Sequence, residues 1–369
     1  MNLSGLDNPV YPVKDQANRL TLHREAARGA QALHFGIGEI MKKLSLVLVW
    51  ILGIAGGAGV AEAQDKFPSS PIRFILPYGP GTATDITTRI MCEELRQILG
   101  TTCIVDNKPG AFGILAIEEM ARARPNGYTL QVGNVSTNAI TPVLFANRMK
   151  INYMEDVVPI TRMTEISNFL TASTTNFPPK TVAEVVAYAK QRPGKLNYAT
   201  PGAGSFPHFD MEVLNRRAGI EMSAIHFKAG PTAFVTDMVK GDVQLALMNV
   251  ATAGPLIKAG TLKALALVAD ARSPAYPDVP TMAEAGYPGV GTTLWAGLFA
   301  PAATPPDVLQ TLQTAVTQAL NSPKVIETYA KQNIRSRPTA SLGEAKTWLR
   351  GEVAHWQKII KEVKIDLGE

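Results

Sequence analysis

Cysteine, histidine and charge are all scarce in this chain of 369 residues. Its two cysteines, Cys92 and Cys103, cannot supply the spaced sets that zinc or iron–sulfur sites need. There are five histidines, and no two lie at metal-ligand spacing on one helix. Charged residues make up 18% and apolar residues 46%. Against a usual charged share of about a quarter, that excludes disorder for most of the chain, because disordered segments lack apolar surface to bury. The net charge of +5 is scattered, with no basic tract, so nucleic acid is not the expected partner. Gly-x-Ser-x-Gly, Gly-x4-Gly-Lys-Ser/Thr and His-Glu-x-x-His are all missing. Ser205, His208 and Asp210 stand too close together for ordinary triad geometry and read as a helix start. No catalytic residue, metal or cofactor is expected.

The one long apolar run is at the wrong place for a fold. Met41-Lys42-Lys43 is a short basic region, Leu44–Val60 is uncharged and mostly apolar, and Ala61-Glu62-Ala63 matches a small-x-small cleavage site. A bilayer span needs about 20 apolar residues, so 41–63 reads as a cleaved export signal. Residues 1–40 read as an extension outside the fold, with Met41 as the start. In an oxidising compartment, Cys92 and Cys103 are candidates for a disulfide joining the first helix to the next strand.

The remainder alternates strand, loop and helix. Ile72–Leu76, Cys103–Asp106 and Tyr128–Val132 read as strands, with helices between them, one closed by Gly100. Such units predict an α/β sheet with parallel strands. A second set follows, with strands over 196–199, 224–227, 243–248 and 264–268. Thr181 and Glu184 make a capping box between the two sets. A short strand at Leu298–Ala300 precedes terminal helices that begin near Thr304–Asp307, Ser322-Pro323 and Ser341/Glu344. The expected layout is one lobe from 64–170 plus 294–369 and another from 171–293, joined by two crossings that form a hinge.

Candidate functional residues lie at the ends of strands, where α/β sheets bind ligands. Gly79-Pro80-Gly81-x-x-Thr84 follows a strand and opens a helix, with Asp106 ending the next strand. Thr84 in place of a third glycine argues against a dinucleotide. Plain anion capture fits better: a helix start offers unpaired N–H groups and a partial positive charge. Gly79, Gly81 and Thr82 leave the backbone accessible, and Thr84 or Asp85 can cap the helix. Asn134, Ser136, Thr137 and Asn138 add a polar loop. Gly204-Ser205 presents a second helix start in the other lobe, and Asn249 ends an apolar strand. Neutral donors of this kind suit a carboxylate that must bind and leave.

Several longer stretches are more specific. They are PIRFILPYGPGTATDITTRI (71–90), VDNKPGAFG (105–113), PNGYTL (125–130), GNVSTNAITPVLF (133–145) and KTVAEVVAYAKQRPGKLNYATPGAGSFPH (180–208). HFKAGPTAFVTDMVKGDVQLAL (226–247), LKALALVADARSPAYPDVPTMAEAGYPG (262–289) and WAGLFAPAATP (295–305) follow. Over residues 66–364 the chain closely resembles the tripartite tricarboxylate transporter substrate-binding proteins, the Bug family of extracytoplasmic receptors. The resemblance implies a two-lobed α/β periplasmic binding protein, type II-like, that closes on a small organic acid and delivers it to membrane permease subunits. It implies no cofactor, a monomer, and a periplasmic location after cleavage near Ala63. A receptor of the same fold feeding a sensor kinase, or an exported enzyme on this scaffold, are the alternatives.

Carried onto this sequence, the resemblance places a ligand carboxylate on the loop Tyr78–Asp85 and on the loop 134–138. From the second lobe it brings Gly204, Ser205, Phe206 and the region of Asn249. Thr82 replaces a usual glycine, Gly79 a usual proline, and Phe112 stands where the family often has glycine. Dicarboxylates, tricarboxylates, acidic amino acids and aromatic acids all remain open as the ligand.

Overall fold

The computed structural model describes residues 67–227, 231–363, 365 and 367, without the side chains of Pro231 and Thr232. The expected extension 1–40 and export signal 41–63 lie outside the described residues. Lys66–Glu369 forms one compact unit.

Two sheets organise it. The first has six strands in the order β11-β4-β10-β3-β1-β2. These are β1 (Ile72–Leu76), β2 (Cys103–Asn107), β3 (Thr129–Asn134), β4 (Val157–Ile166), β10 (Leu294–Pro301) and β11 (Arg335–Ser336). The second has five strands, β7-β6-β8-β5-β9. These are β5 (Asn168–Ser173), β6 (Leu196–Thr200), β7 (Met222–His226), β8 (Leu245–Asn249) and β9 (Leu262–Val268). The chain leaves the first sheet at Ile166, enters the second at Asn168, and returns between Val268 and Leu294. The expected boundary at 170/171 therefore falls inside β5.

The expectation of parallel sheets holds only in part. β1 is parallel to both β2 and β3, and β6 is parallel to β7 and β8. The returning strand β10 runs antiparallel to β3 and β4, and β5 runs antiparallel to β8 and β9. Each sheet is thus mixed, because the strands that carry the chain between the sheets enter against the local direction. The strand expected at Leu298–Ala300 is eight residues long and buried throughout.

Local signals explain the element ends. Gly100 (φ 66°) and Gly219 (φ 61°) stop the helices Ala83–Leu99 and Phe206–Ala218 in the left-handed conformation. Thr181 Oγ1 accepts the Glu184 N–H at 3.1 Å, and Ser341 Oγ accepts the Glu344 N–H at 3.1 Å. Thr304 does not cap the helix Pro306–Leu320, whose N-cap is Pro305 with no side-chain bond. The face that helix Ala83–Leu99 buries holds Thr84, Thr87, Thr88, Met91, Cys92 and Leu95, with Ile90 and Ile98 partly buried against the same core. Threonine hydroxyls are accommodated there because Thr87 and Thr88 both donate to the Thr84 carbonyl, at 3.0 and 2.7 Å.

One apolar core runs from Ile72 and Phe74 through Leu170 and Tyr198 to Trp356. A smaller one, built on Phe169, Phe234, Met248 and Leu267, fills the other face of the second sheet. Phe169 and Leu170 separate because successive strand residues point to opposite faces. The C-terminal helix Leu342–Glu362 serves both sheets: Trp348 meets Trp295 of β10 at 4.7 Å, and Trp356 meets Phe209 at 5.7 Å. Among the described residues no helix is long and apolar enough to cross a membrane.

Candidate functional site

The loop after β1 borders open space: a Cβ added at Gly79 or Gly81 would meet nothing within 4 Å. Gly81 sits at φ +80°, a conformation that favours glycine. Thr82 caps the following helix; its hydroxyl donates to the Gly79 carbonyl at 3.1 Å and accepts the Asp85 N–H at 3.4 Å. The Asp85 carboxylate turns inward. It accepts from the Gly81 N–H at 2.9 Å, Asn107 Nδ2 at 3.0 Å and Arg89 Nε at 3.1 Å. Burial opposes its charge, yet hydrogen bonds from Arg89, Gly81 and Asn107 outweigh burial and hold its pKa below the usual carboxylate range. The Gly81 N–H is therefore already engaged, and Asp85 shapes the loop from behind.

Tyr78 ties this loop to the segment after β3. Its hydroxyl lies 2.6 Å from Thr137 Oγ1 and accepts the Asn134 N–H at 3.1 Å. Burial pushes the Tyr78 phenol well above its ordinary pKa, so it stays neutral. Asn134 Nδ2 reaches the Thr84 hydroxyl at 3.5 Å, and Asn134 Oδ1 accepts the Ser136 N–H at 3.0 Å. A π-helical turn, Ser136–Ile140, follows. Asn138 is fully buried and donates to Gln131 Oε1 at 2.9 Å and to the Tyr153 hydroxyl at 3.0 Å. It anchors the turn internally and does not face the loop after β1. Gly133 permits this packing, since a Cβ there would fall 1.7 Å from Asn138 Oδ1.

The second sheet contributes the turn Gly202–Ser205 after β6. Gly204 takes φ +73°, and its N–H donates to His208 Nδ1 at 3.2 Å, which leaves the ring proton on Nε2. Ser205 is the N-cap of helix Phe206–Ala218, but its hydroxyl donates to the Gly202 carbonyl at 2.7 Å instead of accepting from the helix. The Phe206 N–H, at that helix start, donates to Ser136 Oγ at 3.2 Å. This bond joins the turn of the first sheet to the helix start of the second.

Tyr78, Thr84, Asn134, Ser136, Thr137 and Phe206 are thus drawn into one hydrogen-bonded chain. Asn249 stands apart from it. It caps the helix Val250–Lys258, accepting the Thr252 N–H at 2.9 Å, and lies opposite Asn168 where β5 begins. Two cavities, about 330 and 210 Å³, lie elsewhere, beside Glu212 and Met222 and beside Glu352 and Trp356. Neither is lined by any residue expected from sequence.

Cys92 and Cys103, the candidates for a disulfide, stand as free thiols, Cys92 buried and Cys103 half-buried. The Cys103 sulfur and burial together push the Cys92 thiol well above its ordinary pKa. Asp106 accepts from Arg73 Nε at 2.9 Å, which explains it without a ribose. Among the described residues no group of His, Cys, Asp and Glu is placed to hold a metal ion. Gln131, Tyr153 and Asn107 are supporting residues that the sequence did not single out. No local signal marks them, because their roles come from tertiary packing: Gln131 lies inside β3, Tyr153 opens a short helix and Asn107 ends β2.

Two mixed sheets flanked by helices and joined by two crossings, with their loops meeting at a helix N-terminus, form the fold of a periplasmic binding protein. A family model described as "Tripartite tricarboxylate transporter family receptor" matches residues 87–365, and the chain belongs to that family. Among solved structures it is 33% identical to one described as a periplasmic transporter, with a TM-score of 0.75, covering 82% of this chain and 99% of the other. It is 30% identical to MatC from Rhodopseudomonas palustris with bound malate, TM-score 0.72, covering 80% and 100%. It is 28% identical to a second R. palustris protein with adipate, TM-score 0.72, covering 80% and 97%.

Proposed function

We propose that this receptor captures a small carboxylate between two lobes and delivers it to the membrane subunits of a tripartite transporter. One lobe is built on the six-stranded sheet and the other on the five-stranded sheet, with Ser167 and the segment before Leu294 as the hinge. The observation that carries the reading is the bond from the Phe206 N–H to Ser136 Oγ, which sets a helix N-terminus of one lobe against the polar turn of the other. A helix start presents N–H groups and a partial positive charge to an anion. An acid that displaces the Ser136 contact would take over the Phe206 N–H. Tyr78, Gly79, Gly81, Thr82, Thr84, Asn134, Thr137, Gly204 and Ser205 would form the surrounding walls, with Asp85 and Asn138 supporting them and Asn249 left outside as a helix cap. The malate and adipate of the two R. palustris relatives favour a carboxylate as the ligand class. Contacts to both lobes then tip an open–closed equilibrium toward closure. The exported form begins at Gln64 on this reading.

Calorimetric titration of the exported chain with malate, adipate, phenylacetate and phthalate tests it. At least one acid is expected to bind and to be recovered chemically unchanged. Ser136→Ala is expected to alter that affinity. Failure of every acid to bind, or recovery of an altered acid, overturns the reading.

A further inference from the structure

The loop after β2 holds a phenyl ring where the backbone favours glycine. Residues Gly110, Ala111, Phe112 and Gly113 take φ values of 119°, 46°, 55° and 84°, four in succession on the left-handed side. Two of them are not glycine, and residues with a Cβ seldom adopt this conformation. Thr141 Oγ1 donates to the Phe112 carbonyl at 2.8 Å and pins the loop. The Phe112 ring stacks on Phe145, with centroids 4.3 Å apart and planes 28° from parallel. Phe145 is buried, whereas Phe112 remains 41% exposed. The ring therefore carries a conformational cost and keeps much of its apolar surface in water.

Its position gives the exposure a use. The next residue, Gly113, packs against Thr137 and Pro77: a Cβ there would lie 2.6 Å from Thr137 Cγ2 and 3.3 Å from Pro77 Cβ. On the other side, Phe145 Cε2 lies 3.9 Å from the place a Cβ would occupy on Gly204. Phe112 thus sits where the two loops of the first sheet approach the glycine turn of the second. The helix start that would receive a carboxylate is two residues beyond Gly204.

We propose that Phe112 is a specificity-determining residue and that the acid this receptor selects is an aromatic carboxylate, its ring stacked on Phe112 while its carboxylate meets the Phe206 N–H. A flat π-face stacks on another in an offset arrangement with a gain beyond the area it buries, which an aliphatic chain lacks. This inference rests on the carboxylate reading above, and the test separates the two.

Wild-type, Phe112→Gly and Phe112→Leu proteins are titrated calorimetrically with phenylacetate, phthalate, malate and adipate. Glycine suits φ 55°, so Phe112→Gly is expected to fold, checked by an unreduced melting temperature. Wild-type protein is expected to bind one aromatic acid about tenfold or more tighter than either aliphatic acid. Phe112→Gly is expected to lose about tenfold for that aromatic acid and to change aliphatic affinity by less than about threefold. Phe112→Leu, which keeps apolar volume but no ring, is expected to show most of the same loss. Tighter binding of malate or adipate by the wild type, or aromatic affinity unchanged in Phe112→Gly, overturns the role of Phe112 and leaves carboxylate capture standing. Binding of none of the four acids overturns both.

Discussion

At the scale of single residues, the loop after β1 shows how a charge can serve a site without touching its ligand. Asp85 is 2% exposed and accepts hydrogen bonds from a backbone N–H, an amide and a guanidinium. Hydrogen bonds to a charged group contribute about 1.5–3 kcal/mol each, less where one partner stays solvated, and Arg89 is half-exposed. Asp85→Ala is expected to destabilise the protein at neutral pH by about 2 kcal/mol. The pH dependence has a definite sign. The folded-state pKa lies below the unfolded one, so this stabilisation is complete above the ordinary carboxylate range and fades as pH falls through the folded value. Denaturant titrations of wild type and variant should therefore converge in acid. A difference that grows below pH 4 would contradict the inward role of Asp85. The sequence offered Thr84 or Asp85 as the cap of this helix and Thr82 as a residue that leaves the backbone accessible; the cap is Thr82 instead, because its hydroxyl stands one turn ahead of the Asp85 N–H. The direction of the carboxylate was not legible, because it depends on Asn107, which comes from β2 by sheet pairing with β1.

At the scale of elements, the same rule separates what could be read from what could not. Parallel β–loop–helix units and their glycine stops follow from local periodicity and punctuation, and β1, β2, β3, β6 and β8 lie where those signals put them to within a few residues. β4 was not legible. Its Val-Val-Pro-Ile-Thr-Arg run contains Pro159, which argues against an interior strand. The structure shows what accommodates it: β11 pairs only with Glu165 and Thr164, so at Pro159 β4 has β10 as its strand partner and an open edge on the other side, beside a register irregularity at Leu298/Phe299. Asn249 illustrates a residue whose element explains it fully. It ends β8 and caps the next helix through Thr252. Asn249→Ala is expected to cost about 1 kcal/mol of stability, as for other lost caps, while Asn249→Asp is expected to retain most of it. If calorimetric melting shows an Ala variant as stable as wild type but with weakened ligand affinity, Asn249 touches ligand rather than serving as a cap.

At the scale of the whole molecule, the helix Phe206–Ala218 links the meeting of the loops to the crossings between sheets. Its first residue donates to Ser136, and one turn later Asp210 accepts from the Thr292 N–H and the Thr292 hydroxyl, both at 2.8 Å. Thr292 lies on the returning crossing, and its carbonyl accepts from Asn168 Nδ2, where the outgoing crossing ends, at 2.6 Å. A rotation of one sheet against the other that opened the Ser136 contact would thus strain the Asp210–Thr292 bonds through the same rigid helix. Asp210 is buried, and burial outweighs its two hydrogen bonds, so its pKa is pushed up to about 7. The sign is opposite to that of Asp85. Between the ordinary carboxylate value, about 4, and about 7, the folded state holds a proton that the unfolded state has lost. Stability at this position is greatest in acid and declines as pH rises across that window, by an amount on the order of a few kcal/mol when complete. Asp210→Asn removes the titration and keeps an acceptor for Thr292. The expected result is a wild-type minus Asp210→Asn stability difference that falls steadily from pH 4 to pH 7 and is flat above. A difference independent of pH over that range would show that the buried carboxylate does not titrate there, and that the link between helix and crossings is insensitive to its charge.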